Sequence, residues 1–201
     1  MKIAGILKYR LRLQQQVRRL AVDTRGVAAI EFLILVPLML MICFGVVQAS
    51  TGIAVDRKVS LTVRALSDLI SQNATITDTQ IANAFATGKA MMSPYSSGPL
   101  KSTISQVYIE PVTLLAKVKW SKAAGSGAVL HTCNEVVSVP TALQVSGSYL
   151  IMSEITYDFT PAVGHEIKLK FIAPTFHLTD KMYTRPRQSL SVSYPSAPAC
   201  T

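Results

Sequence analysis

The chain is poor in the residues that carry chemistry. Its three histidines, His131, His165 and His177, lack the short-range spacing of metal ligands, and His165-Glu166 is not followed by the second histidine of a zincin helix. A glycine-rich phosphate loop and a nucleophile elbow are both missing. No catalytic, metal or cofactor site is therefore expected, and the protein is not expected to be an enzyme. Cysteine is scarce, with Cys43 in an apolar run and only Cys133 and Cys200 outside it. Acidic residues are few as well, 11 against 20 basic ones, for a net charge of +9. Internal repeats and low-complexity tracts are absent.

The excess charge is unevenly placed. Lys2, Lys8, Arg10, Arg12, Arg18, Arg19 and Arg25 face only Asp23 within the first 26 residues, a net of +6. The remainder of the chain carries only +3. No aromatic-basic groove or zinc-finger spacing accompanies the charge, so nucleic acid is excluded as a partner.

The basic stretch abuts a long apolar one. Val27 to Val47 contains a single charge, Glu31. As a helix it is about 31 Å long, enough to cross a bilayer, and it exceeds the ~7–15 residues of an ordinary signal-peptide core. Positive flanks stay cytoplasmic, so residues 1–26 are expected in the cytoplasm and residues 48–201 in the periplasm, with residues 27–47 crossing the inner membrane. A carboxylate inside such a run demands a reason, because ionisable groups in hydrocarbon are costly and usually functional.

Helical periodicity outlasts the span. Val55, Val59, Val63, Leu66 and Ile70 recur at steps of three and four, which predicts one helix from Val27 to about Gln72, with Pro37 expected to kink its membrane half. Upstream, Leu11, Leu13, Val17 and Leu20 fit a short amphipathic helix on the anionic cytoplasmic leaflet, while Asp23 or Thr24 would cap the span. A second helix, Thr79 to Met92, is expected behind a Thr77 or Asp78 cap. Beyond the turn-rich residues 93–99 the period changes to two. Strands are expected at Ile104–Ile109, Leu114–Ser121, Tyr149–Phe159, Ile167–Phe171 and Leu190–Tyr194, each with one apolar face. Leu114, Ala116, Val118 and Trp120 would share such a face. The fold class is therefore α+β, with an antiparallel sheet covering the soluble half of the long helix.

In an oxidising periplasm Cys133 and Cys200 either bridge or remain two thiols. Only one pairing is available there, which makes a bridge the expectation. Arg185-Pro186-Arg187 reads as a solvated loop or as an exposed contact for a partner, carried by Arg185 and Arg187.

Gly26-Val27-Ala28-Ala29-Ile30-Glu31-Phe32, between basic residues and a span, resembles the processing site of type IV prepilin-like proteins. It is similar in particular to TadE-like proteins of the tight-adherence (Flp-type, or Tad) pilus. Residues 118–121, 153–161 and 182–187 also look like segments of that family, although Met182-Tyr183-Thr184 stands where an aromatic-rich run is more usual. The resemblance implies a pilin-like fold, and cleavage by a prepilin peptidase after Gly26 that leaves Val27 as the new N-terminus and Glu31 as the fifth residue. It implies as partners the membrane, that peptidase, other Tad pseudopilins and the major pilin. Two alternatives stand beside it. One is an unprocessed inner-membrane accessory protein of the same apparatus; the other is a periplasmic binding or enzymatic domain released by signal peptidase at Val47-Gln48-Ala49.

Overall fold

A computed structural model describes residues 25–161 and 175–197. Helix α1 runs from Arg25 to Ser71 and α2 from Asp78 to Met91. Five strands follow: β1 (Leu100–Ile109), β2 (Ala116–Ala124), β3 (Val136–Val137), β4 (Tyr149–Phe159) and β5 (Phe176–Thr184). They form one antiparallel sheet in the order β3-β2-β1-β4-β5. The class is α+β, as the periodicities predict. The amphipathic helix at Leu11–Leu20, the caps at Asp23 and Thr24, and the strand at Ile167–Phe171 all lie outside the described residues.

Contacts divide the chain into residues 1–47 and 48–201. In the first unit, the described stretch Gly26–Val47 is helical and continues through Pro37. Apart from half-buried Val36, every one of its residues is exposed. α1 is long and apolar enough to cross a membrane, and none of its most apolar window is buried.

In the second unit the stripe on α1 is the core. Val55, Val59, Val63, Leu66 and Ile70 are each at most 1% exposed and pack with Ile104, Ile151, Ile155 and Trp120 of the sheet. α2 lies against α1 at Gly88, where a Cβ would meet Thr62 Cγ2 at 3.3 Å and Leu66 Cδ2 at 3.4 Å. Its N-terminus is closed by a capping box: Gln80 N–H donates to Thr77 Oγ1 and Thr77 N–H to Gln80 Oε1. Its C-terminus is held by Lys58, whose ammonium donates to the carbonyls of Met91 (3.1 Å) and Ser93 (2.7 Å). A cation there suits the helix dipole as well as the orphan carbonyls.

The strands correct the sequence reading in three places. β2 carries a bulge, since Gln106 pairs with Trp120 but Val107 pairs with Val118, leaving Lys119 as the extra residue. A bulge reverses the alternation. Trp120 therefore joins the helix-side core, while Ala116 and Val118 join a second core with Val107, Ile109, Leu150 and Met152. Leu190–Tyr194 is not a strand; it makes one isolated bridge, Ser193 to Thr75, and Val192 and Tyr194 are buried in the helix-side core. The outer strand is instead Phe176–Thr184, paired with the whole inner part of β4.

Candidate functional site

The processing motif sits in the exposed unit. Gly26 has nothing within 4 Å of where a Cβ would lie, and Val27 is 54% exposed. Glu31 follows Val27 by four residues, about 6 Å along the axis and on the same helix face. It is exposed, and no described residue forms a hydrogen bond or ion pair with it. Between Arg25 and Asp56 it is the only charged side chain. Its neighbours Ile30, Phe32, Leu33, Ile34 and Leu35 are all more than half exposed. The helix thus presents one carboxylate among exposed apolar side chains.

The other candidate residues fall in the second unit. Cys133 lies in the loop between β2 and β3, and Cys200 is outside the described residues; Cys43 is free and exposed. Arg185 and Arg187 follow β5. Arg187 is engaged within the chain, its guanidinium 2.5 Å from Asp68 Oδ1 and its backbone N–H donating to Ser71 O at 2.9 Å. This pins the loop after β5 to the end of α1. Arg185 is exposed.

The sequence reading missed a polar network on the outer face of the sheet. Glu154, Thr156 and Asp158 of β4 alternate with core residues, and β5 sets Lys181, Thr179 and His177 opposite them. Lys101 binds Asp158 at 2.8 Å, and His177 Nδ1 lies 2.6 Å from the same carboxylate. His131, in the loop between β2 and β3, is only 12% exposed in its side chain. Its Nδ1 is 2.9 Å from Glu135 and its Nε2 is 2.6 Å from Glu154, which also pairs with Lys181. Burial pulls the His131 imidazole down, but hydrogen bonds to Glu154 and Glu135 and their charges hold it above its ordinary value. Burial pushes the Glu154 carboxyl up, and the bonds from Lys181 and His131 bring it below the usual range. The His131–Glu135 spacing of four was the available signal; the partner across the sheet was not legible.

Residues 26–66 match a family model described as TadE-like protein, about a fifth of the chain. The match begins at the candidate cleavage glycine and ends in the buried half of α1. Residues 118–121, 153–161 and 182–187 lie outside it. No curated protein and no solved structure matches the chain.

Proposed function

We propose that this chain is a pseudopilin-like, membrane-anchored component for assembly of a Tad-type pilus, released from its leader by a prepilin peptidase between Gly26 and Val27. One observation carries this reading: the family match starts at Gly26, and Glu31 is the lone charge among the exposed apolar side chains of residues 26–47. The role is one of insertion and side-by-side packing, not of bond-making chemistry.

The physical argument concerns two charges. Cleavage would free an α-amino group with a pKa near ~7.7–8.0, mostly protonated at neutral pH. A carboxylate at the centre of a membrane helix costs about 2.5–3.5 kcal/mol on insertion scales, less near the interface. Glu31 of one subunit and the Val27 ammonium of a neighbour would neutralise each other where each alone is unfavourable. The helical Gly26–Val27 bond must unwind to enter a peptidase, and glycine, about 1 kcal/mol poorer than alanine in a helix, eases that step. Release at Ala49 fits less well, because Ala49 lies inside α1, a few residues before Val55 of the core.

The test is Glu31→Ala in the producing cell. Membrane insertion and folding of residues 48–201 should persist while pilus assembly fails. Normal piliation with Glu31→Ala would remove the proposed role of this carboxylate.

A further inference from the structure

The outer face of the sheet changes character along β4. Met152 belongs to the second core, whereas the next two residues on that face are Glu154 and Thr156. The register sets two rows of three across the strands there: Lys101, Thr156 and Thr179 in one, Thr103, Glu154 and Lys181 in the other. With strands about 4.8 Å apart and same-face neighbours about 6.7 Å along each, the six side chains tile roughly 10 Å by 7 Å. Residues 127–129 and His131, from the loop between β2 and β3, wall this floor, and together they enclose a cup of about 400 Å3. Small-molecule sites span about 300–1,000 Å3.

The wall is fixed to the floor. Gly125, at φ +104°, enters the loop where a Cβ would collide with Leu100 O, a place only glycine tolerates. Thr103 Oγ1 donates to Val129 O at 2.6 Å, and His131 Nε2 lies 2.6 Å from Glu154. The lining is chemically mixed. Cations stand at opposite corners, Lys101 held by Asp158 and Lys181 by Glu154, with the Glu154 carboxylate in the middle of one row. An anion drawn to the lysines would meet Glu154, and an organic cation drawn to Glu154 would meet the lysines. The threonine hydroxyls both donate and accept, and each ammonium has three N–H groups to the one carboxylate it meets among the described residues. Uncharged groups that themselves donate and accept, hydroxyls above all, match this pattern.

We propose that this cup is a saccharide-binding site that seats one pyranose ring on the outer face of the sheet. Ring hydroxyls bond to Thr156, Thr179 and the two ammonium groups, and the C–H face of the ring lies on Ala128 and Val129, the latter 65% exposed. The inference goes beyond the assembly reading and does not rest on it, because the cup is built entirely from residues 101–181 and needs neither Glu31 nor cleavage at Gly26.

The experiment uses the full chain in lipid nanodiscs with carbon-13 methyl labels on threonine. It is titrated with D-glucose, D-galactose, D-mannose and N-acetyl-D-glucosamine, and with inorganic phosphate as the charged probe. At least one sugar should shift the methyl signals of Thr103, Thr156 and Thr179 saturably, with a dissociation constant of about 1 mM that added salt leaves unchanged. The double variant Thr156→Val, Thr179→Val removes both partners of one exposed hydrogen bond and keeps residues suited to a strand, so the unfolding temperature should hold. Its affinity for that sugar, read at Thr103, should fall about ten-fold or more, as two lost hydrogen bonds require, while Thr156→Ser, Thr179→Ser should retain it. Saturable shifts with none of the four sugars, or with phosphate alone, overturn the proposal. So does a valine variant that binds the sugar as tightly as the wild type.

Discussion

His131 sits between two groups that can only accept. With Glu135 at 2.9 Å and Glu154 at 2.6 Å, both ring nitrogens must donate for both contacts to be hydrogen bonds, and only imidazolium has two N–H groups. Raising the pH removes one donor and the charge together. The folded-state pKa is raised above the ordinary ~6.5, so the stability this residue contributes is fully present below about 6.5 and is lost as pH climbs through the folded value. The well-shielded contact is to Glu154, with side-chain exposures of 12% and 14%. A hydrogen bond between charged groups contributes about 1.5–3 kcal/mol, and Lys181 remains on Glu154 after His131 discharges, so about 1.5 kcal/mol is the expected loss. For a chain of this size that is a fall of roughly 3–6 °C in the unfolding temperature. The assay is thermal unfolding of the full chain in detergent from pH 5.5 to 8.5, beside His131→Leu. The wild type should lose stability across this window, and the variant should be less stable at pH 5.5 but flatter. Nitrogen-15 spectra should show both ring nitrogens protonated at the acid end. A variant as pH-dependent as the wild type, or a wild type that gains stability as pH rises, would refute the reasoning.

Other outcomes follow from the same packing. Leu66→Ala, at a site 1% exposed and wedged against α2 at Gly88, should destabilise by about 3 kcal/mol, read from denaturant midpoints; a change below 1 kcal/mol would mean that α2 collapses into the gap. Trp120→Phe removes the donor to Gln106 Oε1 (2.7 Å) and Val192 O (3.0 Å), both buried, and should cost about 1–3 kcal/mol, mostly through the unsatisfied acceptors. A Cys133–Cys200 bridge would close a loop worth about 4 kcal/mol at most. Cys133→Ser and reducing agent should then lower the unfolding temperature alike, and a mass two hydrogens higher than expected for a bridge would show two thiols.

The parts that the sequence made legible are those where one period runs unbroken. The stripe from Val55 to Ile70 is all core, and β4 spans Tyr149–Phe159 as its alternation predicts. The Thr77 cap, offered with Asp78 as the alternative, is fixed by the reciprocal bonds to Gln80. What escaped depends on partners distant in sequence. β5 hides because Asp180 interrupts its apolar face between Leu178 and Met182, and as an outer strand it needs less burial. Leu190, Val192 and Tyr194 do alternate, but the segment reaches only Thr75 and extends no ladder. Nothing local announces the bulge at Lys119, whose effect is to send Trp120 to the opposite core from Val118. Asp68 and Arg187 are likewise brought together only by the fold. The motif at Gly26–Glu31 differs in kind: what it offers is one charge and one small residue at a fixed offset, local to the sequence, and the family match begins on it.

Cleavage after Gly26 is decided by the N-terminal residue and mass of the protein recovered from bacterial membranes, with and without the prepilin-type peptidase. The expected chain begins at Val27 when the peptidase is present and keeps the residues before Val27 when it is absent. Met1 in both samples would leave α1 as a plain anchor. A soluble product beginning near Ser50 would rule out both cleavage after Gly26 and anchoring by α1.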